Sequence, residues 1–450
     1  MRFLFFILLI STQLFASTIK DNDISFNFTT AQGKVLNSKK NQELMSPASI
    51  QKLITTGLIL EEQGSDFKFK TKFYLQKTNR EFKKLLIQGD WDPSLGSFRY
   101  PNETDQLTLF KYITHQLKLN EVTSLANGIT ALVKLPPHKT IPNHWSWGDI
   151  GNYYATGTNS INYHENLFMI YFTPGDSIGG NAKIHHTVPY LNNKLFINNV
   201  TTGNKNSGDQ VYIYGGPGIT QRHLTGTVPL ASKEFRVKGS LPQPTFQFIN
   251  DLTQHLLTNN ISVNTNKNSV QTDTITSLTK SFEYSSPSLQ KLVTSMNFKS
   301  INLYAEAFYQ YLKSTPKKES QLSSFVEQSF PLSLDQKDGS GLSVANKMST
   351  QFMTTFLNKV SQSTSALSFW SSIPHKGFGT IKYKFKKLDS SAKIQAKSGS
   401  MGGVLSYAGR FFSKKGVEIH FCIILNSPIA TQRDMQKYID EKITSIYNEN

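Results

Sequence analysis

Cysteine is almost missing from this chain: among 450 residues only Cys422 is present. A lone thiol excludes any disulfide within the chain and any cysteine-cluster zinc or iron–sulfur site. Long apolar runs are missing as well. The run from Phe3 to Ile10 falls far short of the ~20 residues that a membrane-spanning helix needs, and no later stretch reaches that length. Negative charge is also scarce: 31 Asp and Glu stand against 48 Lys and Arg, a formal net charge of +17. Such a surplus suits nucleic acid, acidic lipid or an anionic cell-wall polymer, and does not by itself choose among them. The length allows about three domains and excludes a small stapled module. No repeat of fixed period runs through 63–275.

The first residues narrow the choice. Met1-Arg2, the apolar run, then Ser11-Thr12-Gln13 and Ala16-Ser17 read in the order of a secretory signal cut after Ala16. The mature protein is then expected outside the cytoplasm, which makes nucleic acid the weaker explanation of the charge. Residues 24–45 alternate apolar and polar and turn at Gln32-Gly33-Lys34, predicting a β-hairpin. A helix is predicted next, with Ser46 as N-cap and Pro47 as first helical residue, and with apolar positions Ile50, Leu53, Ile54, Leu58 and Leu60 around most of its circumference. Such a helix belongs in a domain centre. Between 63 and 275 short strand-like runs alternate with polar turns. The Asn- and Thr-rich stretches near 191–210 and 258–280 read as loops or subdomain edges. Two helices follow, broken at Lys299-Ser300, then strands at Lys393–Ala396, Val404–Phe412 and Val417–Leu425. A last helix carries the stripe Met435, Tyr438, Ile439, Ile443, Ile446 and Tyr447. An antiparallel sheet with packed helices, split by a long insertion, is the resulting picture.

Three elements could carry chemistry. Ser49 precedes Lys52 by three residues on the first turns of the buried helix, so both side chains share a face. Ser-x-x-Lys as a bare pattern recurs here at Ser17, Ser65, Ser277, Ser288, Ser314 and Ser390, and a capping serine beside a surface lysine reads the same way. Only at Ser49 does a strongly apolar helix force the lysine stem inward and place the serine at the helix's positive end. Burial there would lower the amine's pKa, as a general base requires. Ser300-Ile301-Asn302 sits at the break between two helices, where such residues commonly cap. Lys397-Ser398-Gly399-Ser400 lies at the end of a predicted strand, where a cation, a hydroxyl and a missing side chain let a substrate backbone run along the edge.

Together, Pro47-Ala48-Ser49-Ile50-Gln51-Lys52-Leu53, Ser300-Ile301-Asn302-Leu303-Tyr304-Ala305-Glu306 and Lys397-Ser398-Gly399-Ser400 resemble the D-alanyl-D-alanine carboxypeptidases/endopeptidases of the low-molecular-weight class C penicillin-binding proteins. Gly89-Asp90-Trp91-Asp92-Pro93, Asp338-Gly339-Ser340-Gly341-Leu342-Ser343 and Gly377-Phe378-Gly379-Thr380 look like further stretches of that family. The resemblance implies an α+β fold, a serine β-lactamase/DD-peptidase-like domain with a large, mainly β inserted region between the first two motifs. It divides the chain into a signal peptide (1–16), a first peptidase part (17–62), one or two nested inserted domains (63–275) and a second peptidase part (276–450).

By the same resemblance Ser49 attacks the carbonyl between two D-alanines, Lys52 is the base and Ser300 passes the proton to the leaving amine. Asn302 holds the substrate amide and helps keep Lys52 placed, Lys397 and Ser398 bind the terminal carboxylate, the backbone N–H groups of Ser49 and Ser400 hold the oxyanion, and Gly399 lets the substrate lie along the same strand. Trp147-Gly148-Asp149 resembles a segment whose aspartate reads the free amine of a diaminopimelate side chain, which marks Asp149 as a specificity residue. Ile301 stands where aspartate is common and Ser398 where threonine is common; neither change removes a reacting group. The implied partners are peptidoglycan stem peptides, with β-lactams as covalent inhibitors and peripheral contact with the wall. No cofactor is expected, and no metal: His164, His185 and His186 have no carboxylate or cysteine at a familiar spacing, and His420 reads as structural. Two alternatives share these features, a β-lactamase-like hydrolase and a non-catalytic peptidoglycan-binding or penicillin-sensing protein.

Overall fold

A computed structural model describes residues 19–78, 80–230, 233–272, 280–315 and 320–450. The predicted signal segment lies outside the described residues. Among those described, no helix is long and apolar enough to cross a membrane.

The centre is a five-stranded antiparallel sheet in the order Gln395–Met401, Val404–Phe412, Glu418–Asn426, Ile24–Thr30, Val35–Lys39. The N-terminal hairpin therefore completes a sheet begun by the C-terminal strands. Both faces are covered, so the strand Glu418–Asn426 is apolar on both sides. Ile419, Phe421, Ile423 and Leu425 face the terminal helix Gln432–Glu449, whose Met435, Ile439, Ile443 and Ile446 are buried against them. Cys422 and Ile424 point the other way, into a core shared with the helices Lys52–Gln63, Leu289–Lys299, Asn302–Ser314 and Thr350–Ser361. The one thiol is thus packing, and burial pushes its pKa up.

Between these two parts the chain builds further cores. One is a five-stranded sheet, Ser269–Gln271, Ile129–Leu132, Glu81–Gln88, Lys70–Thr78 and Lys280–Ser285 in that order, packed on the helices Gln106–Leu119 and Pro244–Thr258. The other joins two three-stranded sheets, Phe235–Ser240/Leu167–Thr173/Lys183–Val188 and Tyr212–Tyr214/Arg222–Pro229/Phe196–Gly203, around Phe168, Phe172, Val200 and Leu224.

Several local expectations change. The stretch near 191–210 contains the strand Phe196–Gly203, because Phe196 and Val200 alone suffice to anchor an otherwise polar edge strand in that core. Ser46 is not a side-chain cap: its backbone is clamped by Asn426, with Ser46 N to Asn426 Oδ1 at 2.8 Å and Asn426 Nδ2 to Ser46 O at 3.0 Å. The helix instead begins with a tight turn, Ala48–Gln51, running directly into Lys52–Gln63. Lys397-Ser398-Gly399-Ser400 lies inside an edge strand, Gln395–Met401, and not at its end.

Phe28 ties the two halves of the central sheet. It lies opposite Phe421 across the strand pair, stacks on that ring at 5.9 Å and is fully buried. Phe28→Ala is expected to cost about 3–5 kcal/mol of stability, read as a lower denaturant midpoint at unchanged slope.

Candidate active site

The turn Ala48–Gln51 holds Ser49 at the mouth of the helix, and the next turn carries Lys52 inward until the side chain is fully buried. Its ammonium meets three oxygens: Ser49 Oγ at 2.8 Å, Asn302 Oδ1 at 2.6 Å and the Ser340 carbonyl at 2.7 Å. The amide of Asn302 cannot be turned around, because its Nδ2 donates to the Tyr154 carbonyl at 2.7 Å. Two of the three oxygens are therefore acceptors only. Once Lys52 loses a proton it has two N–H donors left and one lone pair. The lone pair can face only Ser49, the one partner with a proton to give. Loss of the proton thus aligns the serine O–H with its base. Burial pulls Lys52 down to about 7, against the opposing effect of Asp338 and then Glu306.

The two carboxylates that face this lysine are buried and build the loop that supplies the Ser340 carbonyl. Asp338 accepts from the amides of Gly341 and Ser343, both at 2.7 Å, from Asn346 Nδ2 at 2.9 Å and from Trp145 Nε1 at 2.9 Å. Glu306 accepts from the Ser340 amide at 2.8 Å, and burial followed by Asp338 pushes its carboxyl up to about 8. Glu306 lies one helical turn beyond Asn302, so a single helix places both.

Ala48 is held at φ 49°, in the left-handed region that alanine avoids. The segment Asp338–Ser343 holds it there: a Cβ on Gly341, itself at φ 80°, would lie 2.0 Å from the Ala48 carbonyl oxygen. Glycine is required at this contact.

Ser300 ends the helix Leu289–Lys299 in a left-handed conformation, φ 55°, turning its hydroxyl to the second lysine. Lys397 Nζ donates to Ser300 Oγ at 2.9 Å and to the Ser398 carbonyl at 2.7 Å. Burial, then the charge of Lys52, holds Lys397 well below the ordinary lysine range. Ser49, Ser300 and Ser398 are partly exposed around these two buried amines, and Ser400 is exposed on the same strand. Gly399 explains itself sterically: an added Cβ would stand 2.8 Å from the Ser49 nitrogen and 2.7 Å from the Pro47 carbonyl oxygen.

Asp149 is joined to the cluster through Tyr154, whose hydroxyl donates to Asp149 Oδ1 at 3.0 Å while its carbonyl receives Asn302. The structure therefore brings Ser49, Lys52, Asn302 and Ser340 into direct contact, pairs Lys397 with Ser300, and places Asp149 three hydrogen bonds from Lys52, by way of Asn302 and Tyr154. Sequence reasoning had given no role to Glu306, Asp338 or the Ser340 and Tyr154 carbonyls. The spacing of Asn302 and Glu306 could have marked the first; a backbone carbonyl leaves no signature. The family-like stretch Gly89-Asp90-Trp91-Asp92-Pro93 is structural. Trp91 is buried with Nε1 donating to Ser314 Oγ at 3.0 Å, and buried Asp92 accepts from the Ser94 amide at 2.8 Å. His420 is fully buried beside Asn358, and His164 is buried with Nδ1 at 3.1 Å from the Leu167 carbonyl. His185 pairs with Glu234, 49 residues beyond it and so outside any familiar ligand spacing.

Gly399→Ala is expected to slow labelling of the protein by fluorescent penicillin about 100-fold, because an added Cβ displaces the Ser49 backbone and with it the serine hydroxyl and N–H. The rate constant for adduct formation checks this.

The sequence matches the D-Ala-D-Ala carboxypeptidase 3 (S13) family over residues 15–446. The penicillin-sensitive carboxypeptidase A of Dictyostelium discoideum is 27% identical over 465 residues, spanning 92% of this chain and 84% of that protein. Among solved structures, penicillin binding protein 4 from Haemophilus influenzae is similar at a TM-score of 0.75 and 17% identity, covering 96% of this chain and 98% of that one. A predatory peptidoglycan endopeptidase from Bdellovibrio bacteriovorus is similar at a TM-score of 0.51 and 16% identity, covering 95% of this chain and 92% of that one. The structural likenesses establish the α+β peptidase fold, and the family match, running over nearly the whole length, establishes the kinship: this chain belongs to the D-Ala-D-Ala carboxypeptidase 3 (S13) family.

Proposed function

We propose that Ser49, Lys52, Ser300, Asn302 and Lys397 carry out the reaction of this family, with Ser398, Gly399, Ser400 and Asp149 binding the substrate. Family membership makes the chain a serine-type D-Ala-D-Ala carboxypeptidase. The observation that carries the assignment of residues is the set of three contacts at Lys52. Neutral Lys52 takes the proton of Ser49 as Oγ adds to the carbonyl carbon of the penultimate D-alanine. The oxyanion is met by the N–H groups of Ser49 and Ser400. Collapse of the adduct breaks the C–N bond; Ser300, its oxygen held by Lys397, gives its proton to the departing amine and receives in its place the proton that Lys52 took from Ser49, which leaves Lys52 neutral again. Water, deprotonated by Lys52, then releases the acyl group from Ser49.

Lys397 has a second task in this scheme. A substrate carboxylate entering beside it supplies the negative charge that burial denies it, so binding of the peptide's C-terminus favours its ammonium form. Asp149, which accepts from the Tyr154 hydroxyl, pairs in this scheme with an amine on the stem peptide's third residue. The endopeptidase relative supports activity on cross-links in addition to free ends. We place the work outside the cytoplasm, on peptidoglycan, with the positive charge favouring contact with anionic wall material.

The test uses the mature protein, with fluorescent penicillin and with a stem pentapeptide ending in D-Ala-D-Ala. Wild type is expected to form a long-lived adduct and release D-alanine; Ser49→Ala should lose both by about a thousandfold or more. Rapid turnover of the adduct without D-alanine release would favour the β-lactamase-like alternative. A folded wild type with neither activity would favour a binding protein.

A further inference from the structure

We propose that His185, His186 and Glu234 form a binding site for a divalent transition ion of the zinc type, on the inserted region and separate from the Ser49 cleft. Nitrogen atoms of both imidazoles and a carboxylate oxygen of Glu234 all lie within 4.8 Å of one another. Adjacent residues of a regular strand point to opposite faces, so neighbouring histidines do not ordinarily converge. Here they do, because the pairing of Leu167–Thr173 with Lys183–Val188 slips between Tyr171 and Phe172: Tyr171 pairs with His186, but Phe172 pairs with Ile184. His185 is the extra residue of a β-bulge, the device by which a strand re-aims one side chain.

The result is a pair of rings turned edge to face, with Nδ1 atoms 3.3 Å apart. That separation matches the edge of a tetrahedron whose centre lies ~2.0–2.1 Å from each nitrogen, the usual zinc–imidazole distance. Glu234 reaches the pair from the other side of the sheet, just before Phe235–Ser240, which flanks Leu167–Thr173 opposite to the histidine strand. Its Oε1 contacts His185 Nδ1 directly and lies 3.8 Å from His186 Nδ1. Tyr171 stacks on His186 with centroids 4.2 Å apart and planes 8° apart, fixing that ring. Arg236, which pairs across from Tyr171, and Lys238, two residues further along the same strand, are cations on this face and supply no ligand.

Two imidazoles and a carboxylate are a borderline donor set suited to Zn²⁺, Cu²⁺ or Ni²⁺ and not to Mg²⁺ or Ca²⁺. All three residues are exposed, so a fourth position stays open to water or to a further ligand. The ion would tie both outer strands of the three-stranded sheet together over its middle strand. Strand Phe235–Ser240 carries Glu234 at one end, while near its other end Gly239 bridges Asn152, whose Nδ2 donates to the Asp149 carbonyl at 3.1 Å. The clamp therefore braces the sheet from the end opposite the Asp149 segment.

The experiment is calorimetric titration of the untagged, metal-stripped full chain with zinc chloride, and in parallel with magnesium chloride. Wild type is expected to bind one Zn²⁺ per chain and to show a zinc-dependent rise in melting temperature, with no response to Mg²⁺. His185→Ala and Glu234→Gln should each weaken zinc binding at least about tenfold, while keeping the wild-type melting temperature in metal-free buffer. His223→Ala, an exposed histidine elsewhere, should bind as wild type does. Binding should weaken on acidification, since a protonated imidazole has no lone pair to offer. Equal zinc affinity in wild type and both ligand variants, or no zinc binding by wild type, would overturn the proposal.

Discussion

Everything at the Ser49 site depends on one constraint: a fully buried lysine amine with three oxygen partners, only one of which can give a proton. Burial alone would make the amine neutral; the two fixed acceptors decide where its lone pair points. A neutral lysine in an apolar pocket is a base without direction. Placed between Asn302 and Ser340, it becomes a base aimed at Ser49, and the rest of the fold can be understood as what holds those two acceptors still.

Each acceptor is held from behind. Asn302 opens a helix packed in the main core and is locked by the Tyr154 carbonyl, which comes from the inserted region. That contact ties the segment around Tyr154 to the geometry around Lys52. Ser340 lies on a loop closed by Asp338 and by Glu306, and the same loop presses Gly341 against Ala48. Buried carboxylates are costly unless well partnered, and these receive backbone N–H groups as well as the field of Lys52. The left-handed Ala48 stores a cost of about 1–2 kcal/mol next to Ser49, the kind of local strain that persists only where its surroundings dictate it.

Much of this was legible in the sequence. The β-hairpin, the apolar helix, the break at Ser300 and the C-terminal strands follow from periodicity, because each has a face that must be buried. Lys52 stands on an apolar helix that forces its stem inward, which is itself a local signal; Asn302 and Lys397 are marked only by the resemblance their segments carry. What stayed hidden is what tertiary contact alone creates. The strand Phe196–Gly203 has too few apolar residues to announce itself. Ser46 forgoes its cap because Asn426, 380 residues away, takes its backbone. The meeting of His185 and Glu234 depends on a one-residue bulge, which no spacing rule encodes. The Tyr154 carbonyl could not have been found, since every residue has one.

The most direct test of the aimed-base account is the pH dependence of the second-order rate constant for acylation of wild-type enzyme by fluorescent penicillin. Lys52 with its pKa pulled down to about 7 is charged below that pH and neutral above it. The rate constant should therefore rise through an inflection near pH 7 and reach a plateau on the alkaline side, with Lys52→Arg inactive throughout, because a guanidinium keeps its proton. A rate that climbs only towards the ordinary lysine range, or a Lys52→Arg variant with the wild-type profile, would contradict it.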